Sequence, residues 1–592
     1  MKKSNPVCYS SLVRNNKIKP FCTFDTETEG LGGNLICITS YNPVEGKPRL
    51  WLADQLQDFL AYCEEVGGDF YAHNLTYDLR AMMPKIIKTY GTDLNIMLRA
   101  NKDIFLLEVK YDNESLFCFR DSYALFPHSL KSFSEKFAPN YTKFTINDIE
   151  HFDITNDEHV EYALQDSVSL YYSLLKFKEL ISQSFGCDVT ATISSTAVKA
   201  WRCTIPKGHK FFMTNHKASL ELIRYAYYGG LTGLTSTEVF YNTKTYDINS
   251  SYPSVMESIG VPYGGNTYTN FLKEKDIDRI GFVKVKVKTP DDLVIPILPT
   301  RDDNGNMIWR KGEFVTVVTT PELLFALKHG YEVIEYMSGV FFAELVKPFS
   351  DFVSSCRNIR YENKGEPLEQ VAKLMQNSLY GKFGLKDEGT EVVVVDPDNF
   401  DLESVTDYFS TTIDGLYFRT APRKALTMPH WAAWITAMAR LRLLKVMYEI
   451  GVENVIYYDT DSITIKENID FPAHYIDGLE YGKFKLEKTS KQFRAIAPKV
   501  YTLVLDDDSV TVKAKGIPTR NITQEVYDEL HKAIMENNIN YSVSFNTLSS
   551  LPVYLKTGKN IYPTTRKLTD ISNSMNWNVD NRKVSPKHEI RD

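Results

Sequence analysis

Val455-Ile456-Tyr457-Tyr458-Asp459-Thr460-Asp461-Ser462-Ile463-Thr464-Ile465 is two apolar, β-branched runs around a short polar centre. That pattern folds as two strands joined by a tight turn, and its period of two aims Asp459 and Asp461 at one side. Two carboxylates then share one rim. Like charges held that close raise each other's pKa, and a fold that keeps both ionised usually neutralises them with a divalent cation. Taken alone, Asp-x-Asp fits an acidic hairpin turn in solvent as well. The rest of the chain decides between the two.

A first set of acids lies near the N-terminus. After a short polar lead, Pro20-Phe21-Cys22-Thr23-Phe24-Asp25-Thr26-Glu27 begins like a buried strand, with Asp25 and Glu27 on one face. Phe70 to Asp78 is an apolar strand that runs into a polar turn and then into the helix-like Leu79-Arg80-Ala81-Met82-Met83. From Glu158 to Leu175 the periodicity is helical, and Tyr162 and Asp166, four apart, share one face. Three acids from early strands and one from a later helix, with a positioned Tyr, are the parts of a two-metal phosphodiester hydrolase. One cation generates hydroxide, the other stabilises the leaving oxygen, and the Tyr orients the attacking water. Read singly, Asp78 also fits a helix N-cap and Asp166 a solvated helix acid.

A second set follows. Thr245 to Met256 is a strand ending at Asp247, then a turn and a helix start, so Asp247 is the natural partner of Asp459 and Asp461. Three carboxylates from two strand ends can hold two Mg²⁺ ions that align a primer hydroxyl with a triphosphate, whereas an Asx turn would merely cap the helix. Three glycines among aromatics in Tyr225-Ala226-Tyr227-Tyr228-Gly229-Gly230-Leu231-Thr232-Gly233 suit either a structural turn or a close approach to a phosphate chain. In Val371 to Gly384, helical spacing sets Lys373, Asn377 and Tyr380 on one stripe beside Gly381. Lysine suits a triphosphate and an aromatic beside glycine suits a base pair; a solvated amphipathic helix is the plainer alternative. Arg360, in an earlier helix-like run, could lie across a helical hairpin from Lys373 and reach the same phosphates. Ala497 to Thr502 and Thr511 to Gly516 alternate like strands, presenting Lys499 with Tyr501 and Lys513 with Lys515, as solvated edge strands also would.

The totals set bounds. At 592 residues with 43% hydrophobic content the chain is a globular protein of several domains. Its net charge of −7 is neutral evidence on nucleic acid, because a groove can be basic while the whole is acidic. The 8 cysteines have no metal-like spacing, which points to a reducing compartment, the cytoplasm by default, and argues against zinc. No apolar stretch of about 18 residues lacks charge, and Met-Lys-Lys-Ser-Asn-Pro leads into no apolar core, so neither membrane span nor export signal is expected.

From Asp25 to Gly516 the motifs resemble, in order, those of family B DNA polymerases. The first set resembles the proofreading 3′–5′ exonucleases of the DnaQ-like group, with Asp25 and Glu27 as first motif, Asn74 and Asp78 as second, and Tyr162 and Asp166 as third. His73, Asn74, Tyr77, Ser122 and Tyr123 then become candidates for holding a frayed single strand, with a core or turn role as the alternative for His73. Tyr227, Gly229 and Gly230 resemble the Tyr-x-Gly-Gly element that contacts the template strand. Asp247 to Tyr252 resembles the first palm motif, which places Tyr252 beneath the incoming sugar, where it leaves no room for a 2′-hydroxyl. Val371 to Gly384 matches the fingers helix almost residue for residue, and Lys499, Tyr501 and Lys513 resemble elements that grip the primer. Tyr458 and Lys515 depart from the small residues common in relatives.

The resemblance implies an α/β and α+β multidomain fold, an RNase H-like exonuclease domain followed by a right-hand palm, fingers and thumb with two insertions. The exonuclease would occupy 1–188 and the polymerase 189–592. Within the latter, palm falls at about 189–298, 351–358 and 425–497, the first insertion at 299–350, fingers at 359–384, the second insertion at 385–424 and thumb at 498–592. The polar tail from Asp570 reads as disordered. Implied metal ligands are Asp25, Glu27 and Asp166 at one site, and Asp247, Ile248, Asp459 and Asp461 at the other, each site taking two Mg²⁺ ions for which Mn²⁺ can substitute. Tyr252, Arg360, Lys373, Asn377 and Tyr380 would bind the deoxynucleotide. A start close to the N-terminus, the short chain and room for both insertions fit the protein-primed branch of bacteriophages and linear plasmids. Its first insertion contacts a terminal priming protein, and its second encircles DNA and supports strand displacement. The expected partners are primer-template DNA, deoxynucleotides, single-stranded DNA at the exonuclease and the priming protein, for a monomer working in the host cytoplasm. Rival readings are an enzyme that uses a nucleic-acid or self-made primer, and a catalytically dead binding relative. Seven intact carboxylates argue against the second.

Overall fold

Two sheets carry Asp25 and Glu27 on the one hand and Asp247 and Asp459 on the other; Asp166 stands on a helix as expected, but Asp78 lies in the first turn of helix Leu75–Tyr90 and not on a strand. The computed structural model describes residues 7–30, 32–99, 103–143, 152–214, 216–385, 388–395, 408–410, 417–424, 427–519, 522–550, 553–554 and 557–568. Among these the first sheet has ten strands, ordered Tyr408–Ser410, Tyr417–Lys424, Glu388–Val395, Leu94–Arg99, Asp103–Tyr111, Glu114–Asp121, Gly68–Ala72, Phe21–Thr28, Leu35–Asn42 and Lys47–Leu52. Gly68–Ala72 runs parallel to both Phe21–Thr28 and Glu114–Asp121, and the other neighbours are antiparallel. The pleat sorts the side chains of Phe21–Thr28. Cys22 and Phe24 join the core under helices Leu56–Val66 and Leu75–Tyr90. Phe21 packs with the long helix Asp157–Phe185, and Thr23 donates to Ser167 O at 2.7 Å. Asp25 and Glu27 inherit that second face and so meet the helix that bears Asp166.

The second sheet has seven strands among the described residues: Thr232–Leu234, Val455–Asp459, Ser462–Lys466, Phe240–Ile248, Phe484–Ala497, Val500–Leu505 and Val510–Ala514, all neighbours antiparallel. Its register sets Asp247 and Asp459 opposite Ser462 from the two sides. Behind it lies the almost wholly buried helix Pro429–Ile450, whose Leu443, Leu444 and Met447 share a core with Tyr246, Ile248, Ile463 and Ile465. Although long, this helix carries charge, and no helix among the described residues is long and apolar enough to cross a membrane. Helices Ser350–Glu362 and Pro367–Leu379 form the expected hairpin, turned through Gly365 at φ +87° and restarted by Pro367 in the first turn.

Several expectations need correction. The polar lead contains a strand, Val7–Ser10, that pairs with Lys210–Phe212, so the N-terminus is tied to the chain beyond the expected boundary at 188. Between Thr192 and the glycine-rich loop lie two helices, Ile193–Arg202 and Lys217–Tyr225, separated by the strand Lys210–Phe212. The helix read from Glu158 to Leu175 persists to Phe185. The segment marked off at 299–350 is only part of a four-stranded sheet ordered Thr267–Thr269, Glu332–Phe341, Gly281–Lys288 and Glu313–Thr319. Strands Val261–Tyr263 and Glu344–Val346 pair at its base. Of the second insertion, Glu388–Val395 extends the first sheet by pairing Val392 with Ile96, while residues 396–407 and 411–416 lie outside the described residues, as does the tail from Asp570. Lys499 lies in the turn between Phe484–Ala497 and Val500–Leu505 at φ +63°, not in a strand, and Lys515 follows the end of Val510–Ala514.

Candidate active sites

Ligand oxygens of Asp25, Glu27 and Asp166 lie within 4.8 Å of one another. Burial and the neighbouring Asp78, Asp166 and Glu27 push Asp25 well above the usual carboxylate range. Burial, then Asp166, brings Glu27 to about 7. Burial raises Asp166 too, opposed by Lys143 and Tyr162, which both hydrogen-bond it. Lys143 also stands 4.7 Å from the Tyr162 ring centroid. Burial works against the Lys143 ammonium, yet Asp166 and Asp25 hold it charged. Three crowded carboxylates with one ammonium among them are a donor set suited to hard divalent cations. Asp78 stands beside the trio, not in it: Thr26 donates to its Oδ1 from N at 3.2 Å and from Oγ1 at 2.9 Å, and burial raises it to about 8.

At the second centre, Ile248 N–H donates to Asp461 O at 2.7 Å, which sets Asp247 beside the turn. Burial, Asp461 and Glu487 raise Asp247 to about 7, with Lys485 and Lys373 opposing. Burial and Asp459 raise Asp461 to about 6. Asp459 is differently placed, because Lys499 Nζ holds its two oxygens at 2.7 and 2.9 Å. Among the described residues these three acids do not gather as tightly as the first trio. Lys373 and Asn377 are exposed on one stripe of their helix, and Tyr380 stacks on Tyr252 with centroids 4.3 Å apart and planes at 26°. Arg360 Nη1 reaches Ser250 Oγ at 2.9 Å, in the turn between Asp247 and Tyr252.

Gly230 and Gly233 serve close approach, whereas a Cβ on Gly229 would meet nothing within 4 Å. A Cβ on Gly230 would strike Thr460, one on Gly233 the Tyr458 ring, and one on Gly384 the Tyr227 ring. Thr460 N–H donates to Leu231 O at 2.7 Å, locking the loop to the Asp459–Asp461 turn. Two arginines cap its carbonyls: Arg301 donates to Tyr225 O and Tyr227 O, and buried Arg440 to Tyr228 O and Gly229 O. Arg440 is itself paired with buried Glu322 at 2.7 Å.

Residues 62–157 and 153–468 match the family described as DNA polymerase type B, organellar and viral. The chain belongs to the type B DNA polymerases. It is 31% identical over 379 residues to a probable DNA polymerase of Neurospora intermedia, a match covering 59% of this chain and 38% of that relative, so the chain spans well under half of the relative's length. To the DNA polymerase of Bacillus phage PZA it is 25% identical over 515 residues, covering 81% of this chain and 86% of the relative. Its fold is similar to that of Phi29 DNA polymerase complexed with primer-template DNA and incoming nucleotide, with a TM-score of 0.74 at 20% identity over 93% of this chain and 99% of that one. At that identity the likeness is one of fold, an RNase H-like exonuclease unit followed by palm, fingers and thumb.

In this type B polymerase the residues expected to hold a frayed strand are unequally free. His73 bridges Ser122 Oγ at 2.8 Å and His128 O at 2.7 Å, and burial lowers it to about 4, so it is neutral. Ser122 has no exposed surface, and its Oγ lies 2.8 Å from both His73 Nδ1 and Ala72 O, so it packs behind the histidine instead of facing a strand. The Tyr77 hydroxyl lies 2.6 Å from Thr28 Oγ1. Asn74 is exposed in a left-handed conformation, φ +77°, with its N–H held by Asp121 Oδ1, which also takes the Tyr123 N–H. Tyr501 packs on Tyr457, 5.2 Å between centroids, and Lys513 is exposed. Sequence reading missed Lys143, which sits in an aperiodic stretch where no spacing marks it, as well as Asp121, Arg301 and Arg440.

Proposed function

We propose that this protein is a template-directed DNA polymerase that adds deoxynucleotides to a primer 3′-hydroxyl and proofreads with a separate 3′–5′ exonuclease. The observation that carries this reading is the presence, in one chain, of two carboxylate centres on two different sheets. Divalent cations, when bound, supply charge neutralisation and Lewis acidity for displacement at phosphorus at both centres. Asp25, Glu27 and Asp166 would hold them at the exonuclease, and Asp247 and Asp461, with Ile248 and Asp459 in support, at the polymerase. At the exonuclease Lys143 balances the carboxylate charge and Tyr162 orients the attacking water. At the polymerase Lys373 and Arg360 bind the triphosphate, and the Tyr252–Tyr380 stack forms the floor that excludes a 2′-hydroxyl. Tyr227, Gly229 and Gly230 would track the template and Lys499, Tyr501 and Lys513 the primer.

Protein priming belongs to the same reading, supported by the extra four-stranded lobe between Tyr263 and Glu344 and by the strands at 388–424, which stand where the two insertions are expected. The eight free cysteines, none paired, suit a reducing compartment such as a host cytoplasm. The test is extension, by the pure protein with Mg²⁺, of a primer on a long template across a downstream duplex. Long products that displace the downstream strand support the full reading. Short products that stop at the duplex favour a polymerase working from a nucleic-acid primer, and no extension overturns both.

A further inference from the structure

Arg360 is held by a closed ring of hydrogen bonds. Its Nη1 donates to Ser250 Oγ at 2.9 Å and to the Tyr481 hydroxyl at 2.8 Å. Tyr481 Oη donates in turn to Gln376 Oε1 at 2.9 Å, and Gln376 Nε2 donates back to Ser250 Oγ at 3.2 Å. Each of the four bonds has one donor and one acceptor, with Ser250 Oγ accepting twice, so the ring fixes the direction of each bond. Arg360 Nε is buried with no hydrogen-bond partner among the described residues, which leaves a cationic N–H to be satisfied. Each member is locked from behind. Gln376 is wholly buried on the inner face of the helix whose outer stripe carries Lys373 and Asn377. Tyr481 precedes Gly482, whose N–H donates to Asn249 O at 2.8 Å, while Asn249 N–H returns to Lys483 O at 2.9 Å. Ser250 sits at φ +49°, and its hydroxyl does not cap the helix that follows, although serine in that position normally does. It faces Arg360 instead, one turn of chain from Asp247 and Tyr252.

We propose that Tyr481 and Gln376 are positioning residues that hold the Arg360 guanidinium over the Asp247–Tyr252 turn and so set the affinity for the triphosphate of an incoming deoxynucleotide. A flexible arginine loses rotamer freedom when it grips phosphate; fixing it beforehand removes that cost from binding. The inference rests on the reading of Arg360 as a phosphate ligand, and its test separates the two. Steady-state primer extension with Tyr481→Phe, which deletes one hydroxyl and keeps the ring, should raise the nucleotide KM about three- to tenfold with kcat within about twofold. Gln376→Met should do the same, and Tyr481→Phe should add nothing in an Arg360→Ala background. Degradation of single strands in the same preparations, at the other centre, reports that each variant is folded. An unchanged KM in Tyr481→Phe, or full additivity with Arg360→Ala, overturns the positioning role while leaving the polymerase reading intact. An unsubstituted protein that extends no primer overturns both.

Discussion

At the centre of Asp25, Glu27 and Asp166, proposed as the exonuclease, three carboxylates lie within 4.8 Å and a lysine sits among them, whereas at the centre of Asp247, Asp459 and Asp461, proposed as the polymerase site, the three come from two strand ends and the lysine is tied to one acid at the rim. The first arrangement is preassembled: the sheet pleat and one helix fix all its members before anything binds. The second is looser: Lys373 acts on Asp247 by its charge, and the Tyr252–Tyr380 stack belongs to the same proposed site. A nuclease can use any strand end that reaches it, but a polymerase must wait for a matched nucleotide.

Removing the ammonium from the first centre should have the largest selective effect. Lys143→Met is expected to slow single-strand degradation by about a hundredfold with primer extension unchanged, as befits charge placed among reacting groups. Equal loss of both activities would show that the lysine merely holds the fold. At the second centre, Lys499→Ala frees Asp459 and loosens the hold on the primer. It should weaken extension by about tenfold through primer affinity, which titration of primer-template concentration reads, with no change in single-strand degradation.

Acidity sharpens the contrast. With no cation bound, Glu27 titrates near 7, Asp78 near 8 and Asp247 near 7, burial being the main cause of each. These groups keep a proton in the folded chain at pH values where the unfolded chain has released it, so cation-free stability falls as pH rises from the ordinary carboxylate range through 7 to 8. Mg²⁺ favours the ionised forms. Its effect on melting temperature should therefore be greater at pH 8 than at pH 6, and an equal or larger gain at pH 6 would contradict the assignment. The smallest effect is expected at Tyr458, whose hydroxyl is fully buried beside Gly233 without a hydrogen-bond partner. Tyr458→Phe should leave stability unchanged or improve it by about 1 kcal/mol in chemical denaturation, and clear destabilisation would reveal a partner for that hydroxyl.

What could be read from the sequence was whatever a local period carries. Parity along Phe21–Thr28 put Asp25 and Glu27 on one face, spacing of four joined Tyr162 to Asp166, and the helical stripe aligned Lys373, Asn377 and Tyr380. Each needs only one element. Lys143 was invisible because its partner Asp166 is far away in the chain, and the turn at Lys499 was hidden inside an alternating run that suits a strand equally well. Nothing local says that Gly281–Lys288 takes Glu313–Thr319 and Glu332–Phe341 as its neighbours. For the same reason the pairing of Glu388–Val395 with Leu94–Arg99 could not be foreseen. Side-chain networks such as Arg440 with Glu322 belong to this class, since both partners are buried charges whose cost is met only across the fold.

The most direct test of two separate centres is a pair of single variants, Asp25→Ala and Asp461→Ala, each assayed for primer extension and for single-strand degradation. The account predicts that Asp461→Ala abolishes extension and leaves degradation at the unsubstituted rate, and that Asp25→Ala does the reverse. Loss of both activities in either variant, with folding intact, would contradict it.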